Sequence, residues 1–219
     1  MTKKQRAALA VDALKKEYPE ALCSLTYTDP LQLLIATRLS AQCTDARVNI
    51  VTPALFERFP TLEDFVNSSA EEIEPYIRTC GLYKTKARDI FAACKMLKAE
   101  FGGVVPDSIE ELTRLPGVGR KTANLVVGDI YHKPAVVTDT HCIRICGRIG
   151  ISEGKDPFKV EQQLRAVLPT DESNLFCHRI VLHGRAVCTA RSPKCEICCM
   201  NEFCKYAKEQ PEPTAVKKT

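Results

Sequence analysis

Leu115-Pro116-Gly117-Val118-Gly119-Arg120-Lys121 reads as a tight turn between two helix-forming segments. Asp107–Arg114 precedes it, with Asp107 and Glu110 at capping-box spacing, and Lys121–Tyr131 follows. Two helices joined by a Gly-x-Gly turn make a helix-hairpin-helix, a motif that holds a nucleic-acid backbone. Gly117 and Gly119 remove side chains where a phosphate must approach. The turn leaves backbone N–H groups unpaired at the start of the next helix, and those groups and the helix dipole favour an anion. Arg120 and Lys121 open that second helix beside the phosphate. The same spacing also fits an ordinary corner between two helices, punctuated by proline and glycine.

Outward from the turn the chain reads as almost wholly helical. Expected helices are Lys3–Glu17, Pro30–Leu39, Asp45–Phe59, Ala70–Thr79 and Lys84–Phe101 before the hairpin. Thr140–Ile149, Pro157–Leu168 and Asn174–Val187 come after it. Asp29 then Pro30 is an N-cap followed by N1, and Ser69 with Glu72 has capping-box spacing. Pro53 is expected to kink or split the third helix. Ala135–Thr138 alone reads as extended, too short to imply a sheet. No repeat is visible, and the residues from 207 to 219 read as a disordered tail.

At 219 residues the chain can bury the core of one domain or of two modest ones. A net charge of +4 permits a nucleic-acid partner without demanding one. The basic stretch Met1–Arg6 has no apolar run behind it, so a secretory signal is not expected. No stretch approaches the roughly 18 apolar residues of a membrane span. The expectation is a cytoplasmic protein, nucleoid-associated in a bacterium, with no membrane partner.

Twelve cysteines are conspicuous in a reducing compartment, where metal ligation competes with simple burial. Cys23, Cys43, Cys80, Cys94, Cys142, Cys146 and Cys177 are scattered, and most read as small buried apolar groups. Cys188-x6-Cys195-x2-Cys198-x5-Cys204 differs, because four thiolates within 17 residues can surround one centre. Zinc knuckles pair two short C-x2-C units, and only the central pair has that spacing here. A [4Fe–4S] cube with one thiolate per iron suits the outer loops better, with zinc as the alternative. Cys199 offers a one-residue slip, and Cys198 is taken as the ligand. Arg185, Arg191 and Lys194 flank or lie inside the first loop, where closure by a metal centre would turn them toward phosphates. A solvated loop balancing thiolate charge is the other reading.

The hairpin with Lys121, an aspartate at Asp139 and the four-cysteine tail together resemble the endonuclease III family of DNA glycosylases with lyase activity. The likeness extends from about Leu22 to Cys204. It includes Leu39-Ser40-Ala41-Gln42-Cys43-Thr44-Asp45, Gly81-Leu82-Tyr83 and Val137-Thr138-Asp139-Thr140-His141.

This resemblance implies a base flipped out of the duplex, because C1′ is out of reach while the base is stacked. It makes Lys121 the nucleophile, whose amine displaces the base and holds C1′ as a Schiff base. The positive end of a helix would favour the neutral amine that attack requires. Asp139 becomes the carboxylate that stabilises positive charge on the sugar, a role compatible with capping the helix after it. Gln42 and Leu82 match positions that fill the gap left by the extruded nucleotide. Asp45 and His141 match further residues near the active site. His132, His178 and His183 form no metal-like pattern.

Relatives acting on mismatched adenine lack this lysine and carry an extra C-terminal domain, and those acting on 8-oxoguanine generally lack the cysteine tail. The expectation is therefore an all-α protein of two helical lobes. Residues 23–133 would form a central bundle carrying the hairpin, and 1–22 plus 134–206 a lobe carrying the [4Fe–4S] cluster, with the active site in the cleft. It would act as a monomer on damaged double-stranded DNA, removing oxidised pyrimidines and cutting 3′ to the abasic site. A non-catalytic DNA-binding module and a redox-sensing iron–sulfur protein are the rival classes; neither explains why Lys121 and Asp139 occur together.

Overall fold

The computed structural model describes residues 1–209 as helices, turns and loops, and no strand occurs among them. The chain divides into two compact units. One is Cys23–Lys133, and the other joins Met1–Leu22 to the chain from Pro134 onward.

The first helix, α1 (Lys3–Glu17), starts at a full capping box. The Thr2 hydroxyl accepts from the Gln5 N–H while the Gln5 side chain accepts from the Thr2 N–H. Its buried residues Ala7, Ala10, Val11 and Leu14 follow the three-and-four spacing of one helical face.

Within Cys23–Lys133 the helices are α2 (Pro30–Leu39), α3 (Asp45–Arg58), α4 (Leu62–Val66), α5 (Ala70–Ile77), α6 (Tyr83–Glu100), α7 (Ile109–Leu112) and α8 (Arg120–Asp129). Helix α6 packs against α2, α4 and α5, and α8 packs against α2 and α7. Phe59 stacks on Phe65 at 5.0 Å between ring centroids, with Tyr76 edge-on at 5.8 Å. Each phenylalanine is almost fully buried, which is worth about 2–3 kcal/mol of apolar transfer apiece.

Three expectations need correction. Pro53 does not split α3. The helix runs through it because Val48, Thr52 and Leu55 are buried on both sides, offsetting a local cost of about 3 kcal/mol. The segment before the hairpin is only four residues long, and its cap is Ser108 rather than Asp107: the Glu111 N–H donates to the Ser108 hydroxyl at 3.2 Å. Asp107 instead pairs with Lys133 at 2.6 Å. Helix α4 was not foreseen, although Thr61 and Asp64 form a complete capping box before it. At Ser69 the hydroxyl caps α5 through the Glu72 N–H, while the Glu72 carboxylate pairs with Arg58.

The discontinuous unit adds α9 (Thr140–Ile149), α10 (Pro157–Val167), α11 (Ser173–Ala186) and α12 (Lys205–Glu209) to α1. Helix α1 packs on α10 and α11, and α9 on α11 and α12. Gly184 lets α9 and α11 approach, since a Cβ there would meet His141 Nδ1 at 2.3 Å and the Ile145 side chain at 2.9 Å. Arg6 fastens α1 to the far end of the unit, donating to Phe203 O and Gly150 O. Arg179, almost fully buried, donates to Glu172 at 2.7 Å, and Lys15 of α1 bonds the same carboxylate.

Residues 207–209 of the expected tail belong to α12, while 210–219 lie outside the described residues. Ala135–Thr138 is buried as loop, not strand. Among the described residues no helix is long and apolar enough to cross a membrane.

Candidate active site and cluster centre

The hairpin turn is held by its apolar residues. Leu115 and Val118 are buried, and the Val118 N–H closes the turn on Leu115 O at 3.1 Å. Gly117 has φ +73°, and a Cβ on it would lie 2.6 Å from Arg38 Nε and 2.8 Å from Asp89 Cβ. The turn thus rests on an ion pair between α2 and α6, in which Arg38 Nη2 and Nε donate to Asp89 Oδ2 at 2.6 and 2.9 Å. Gly117 is therefore required by the protein's own packing. Gly119 has no such reason: its φ is −91° and a Cβ there would meet nothing. It is the N-cap of α8 and has no side chain to occupy the first N–H groups of the helix. Lys121, exposed, is the second residue of that helix, and Arg120, the first, is half-buried.

Gln42 and Leu82, both exposed, share an unusual backbone. Their φ values are +54° and +48°, and His132 is the other non-glycine residue at positive φ among those described. The left-handed region costs a residue with a side chain about 1–2 kcal/mol. Leu82 sits between Gly81 and the start of α6 with 60% of its surface in solvent. The residue that sequence reading missed lies beneath them. Lys86 is fully buried, its Nζ donating to Leu39 O at 2.8 Å and Cys80 O at 2.6 Å. Burial pushes its ammonium below the ordinary lysine value. A signal was present: Lys86, Ile90, Ala93 and Leu97 follow the spacing of one buried face of α6.

Asp139 caps α9, its Oδ1 accepting the Cys142 N–H at 2.7 Å. Capping fixes the half-buried carboxylate at the end of the Ala135–Thr138 loop. His141, in the first turn of α9, accepts at Nδ1 from Arg144 Nη2 at 3.1 Å. A guanidinium only donates, so the ring proton sits on Nε2. Behind Asp139, Cys142, Cys146 and Cys177 are buried, with Cys142 and Cys146 sulfurs 3.9 Å apart. Their mutual hydrogen bonding and burial push the Cys142 and Cys177 thiols well above the ordinary range. These are inert packing groups, as are buried Cys80 and Cys94; Cys23 and Cys43 are half-buried.

Cys188, Cys195, Cys198 and Cys204 line one cavity of about 340 Å³ including the space open to solvent, walled by Ile145, Ile149, Val187 and Met200. Cys199 is not part of that lining. Among the described residues no three donor side chains converge closely enough to hold a single metal ion. Four thiols around a cavity, not gathered on a point, fit a cube with one sulfur ligand per iron. Arg148 backs the centre, donating to Cys188 Sγ at 3.3 Å and to Thr189 O at 2.7 Å, with Tyr206 under its guanidinium. His183, to which the sequence assigned nothing, is fully buried between Tyr18 Oη and Cys198 Sγ, at 3.2 and 3.3 Å. Arg185 and Arg191 are exposed, as is Lys194, whose Nζ caps α11 through Ala186 O at 3.3 Å.

An all-helical fold with a glycine hairpin, a capped aspartate and a thiol-lined cavity defines a DNA-repair architecture, and comparison with known proteins agrees. Residues 35–170 match the HhH-GPD superfamily of base excision DNA repair proteins, and 188–204 match the iron-sulfur binding domain of endonuclease III. Endonuclease III of Synechocystis sp. is 46% identical over 207 residues, 94% of each chain. That of Bacillus subtilis is 39% identical, covering 95% of each. A solved structure of a trapped endonuclease III–DNA covalent intermediate superposes with a TM-score of 0.89 at 42% identity, covering 95% of this chain and 98% of that one. The chain belongs to the endonuclease III family: it is a base excision repair enzyme, a DNA glycosylase with AP lyase activity, and its cofactor is a [4Fe–4S] cluster.

Proposed function

We propose that this enzyme removes oxidised pyrimidines from double-stranded DNA through a Schiff base on Lys121 and then cuts the strand 3′ to the lesion. The observation that carries the reading is an exposed lysine in the first turn of α8, directly after a hairpin whose N-cap is glycine. A relative at 42% identity caught in a covalent intermediate with DNA supports the same chemistry.

In this reading the Nζ lone pair of Lys121 attacks C1′, and the bonding pair of the glycosidic bond leaves with the base. The secondary amine opens the sugar to an iminium, which draws electrons from C2′. Loss of a C2′ proton then expels the 3′ phosphate, and water releases Lys121. Asp139, fixed in place as the α9 cap, balances positive charge as it develops on the sugar.

The other residues serve recognition. Leu82 enters the stack as an apolar wedge and Gln42 hydrogen-bonds to the orphaned base. Gly119, Arg120 and the turn at Gly117 receive a phosphate at the α8 N-terminus. Arg185, Arg191 and Lys194 contact other phosphates of the duplex, and His141 offers its Nε2–H to the DNA backbone. Cys188, Cys195, Cys198 and Cys204 would hold the cluster, which closes the basic loop when bound and takes no part in the bond changes. The enzyme acts as a monomer without an obligate protein partner.

The test is borohydride trapping on a duplex containing thymine glycol. A covalent adduct that Lys121→Ala abolishes, with binding retained, supports the reading. Strand cleavage undiminished in Lys121→Ala removes the lysine as nucleophile.

A further inference from the structure

Gln42 and Leu82 are far apart in sequence, yet the chain leading into each is tied to one buried cation. Lys86 Nζ donates to Leu39 O, the last residue of α2 and three before Gln42. It also donates to Cys80 O, the last residue of the 3-10 turn and two before Leu82. The backbone N–H of Lys86 donates to Leu82 O at 3.0 Å, closing the first turn of α6 on the same residue. The Cys43 and Cys80 thiols, one from the base of each loop, both lie close to this ammonium.

Both carbonyls stand at the ends of helical turns, where no backbone N–H continues the ladder. An apolar side chain at position 86 would leave them unsatisfied in the interior, whereas an ammonium satisfies both with charge-assisted bonds. Lys86 does this from α6 while remaining wholly buried. Above this anchor the two exposed residues keep left-handed backbones that a loose loop would abandon.

We propose that Lys86 is a positioning residue for base extrusion: it clamps the Gln42 and Leu82 loops into one preformed wedge. This rests on the reading of Gln42 and Leu82 as the residues that fill the gap in the duplex. With the clamp in place, the ordering of two loops is complete before DNA arrives and is not drawn from the binding energy. The clamp touches neither substrate nor the reacting atoms, so its loss acts on extrusion rather than on the lyase chemistry.

The experiment uses cluster-loaded protein and a duplex with 2-aminopurine beside a dihydrothymine, whose fluorescence rises when the stack opens. Wild type, Leu82→Ala, Lys86→Met and the double variant are compared by stopped flow. Lys86→Met is expected to slow extrusion about ten-fold while cleaving a preformed abasic site near the wild-type rate. Adding Leu82→Ala to it should change little more, because both remove one device. Lys86→Arg, which keeps the charge and the donors, should restore most of the signal. Normal extrusion in Lys86→Met, or effects that multiply in full with Leu82→Ala, would make Lys86 an ordinary packing residue. Unchanged extrusion in Leu82→Ala would overturn the wedge reading itself, and the clamp with it. Should Lys86→Met fail to fold, Lys86→Gln, too short and uncharged to hold both carbonyls, completes the same cycle with and without Leu82→Ala: coupling supports the clamp and full independence overturns it.

Discussion

Replacing Gly117 by alanine separates two reasons for a glycine in the hairpin. At φ +73° an L-residue costs about 1–2 kcal/mol before any contact is considered. The added Cβ then lies 2.8 Å from Asp89 Cβ, an atom fixed to the α6 backbone, and 2.6 Å from Arg38 Nε. Room can be made only by moving the turn or breaking the Arg38–Asp89 pair, whose side chains are 16% and 26% exposed. For a partly solvated pair that adds about 1 kcal/mol. Gly117→Ala should therefore destabilise the fold by roughly 2–3 kcal/mol, lowering the melting temperature by about 4–12 °C for a chain of this size. Gly119→Ala is the control, because its φ is negative and its Cβ position is open. It should melt within a few tenths of a kcal/mol of wild type and yet bind DNA more weakly. Urea titration of both variants, alongside DNA affinity at fixed salt, reads the contrast. Equal melting of Gly117→Ala and wild type would refute the steric argument.

Asp139→Asn should keep the α9 cap and stability within a few tenths of a kcal/mol while losing base removal; Asp139→Ala should in addition cost about 1 kcal/mol. Urea unfolding and a glycosylase assay on both distinguish cap from catalyst, and full activity in Asp139→Asn would exclude a charged role. Glu172 is held below the usual carboxylate value by its bonds from Lys15 and Arg179. A depressed carboxyl contributes its stability above the unfolded value and loses it as pH falls through the folded one. Wild type should thus weaken as pH drops from about 5 to 3, and Glu172→Gln should show a flatter profile. At neutral pH that variant should cost about 3 kcal/mol for stranding Arg179; identical pH profiles would exclude the pair as the cause. Cys195→Ser should lose visible cluster absorbance, stability and DNA affinity together, and unchanged melting would deny the cluster a structural role.

The helix starts were the most legible part of the fold, because they are written in single residues. Asp29 with Pro30, and Asp139, are each followed by a helix running to its expected end. Short helices escaped where local signals compete: Thr61 and Asp64 cap a five-residue helix hidden between Pro60 and Ser69, and Asp107 lost the cap to its neighbour Ser108. Pro53 does not split its helix, because burial on both flanks outweighs one missing bond. At the site, residue types with direct chemistry could be read, as with Lys121 and the cysteine spacing. Left-handed backbone at Gln42 and Leu82 could not, because nothing in glutamine or leucine advertises it. Lys86 was legible only as an anomaly of periodicity, a charge at a buried step of α6.

The discontinuous unit has a consequence for the order in which the protein is made. Helix α1 leaves the ribosome first, yet its partners α10 and α11 and the Phe203 carbonyl that receives Arg6 are among the last segments to emerge. At cellular elongation rates of 5–20 residues per second, its apolar stripe of Ala7, Ala10, Val11 and Leu14 waits about ten to thirty seconds for cover. Cys23–Lys133 meanwhile has every segment of its own core within reach. The hairpin can thus mature on the nascent chain before the thiol-lined cavity has all of its walls. Cluster loading therefore comes late in synthesis, after the residues from Ile145 to Ala207 that line the cavity have emerged, and well after the hairpin can form.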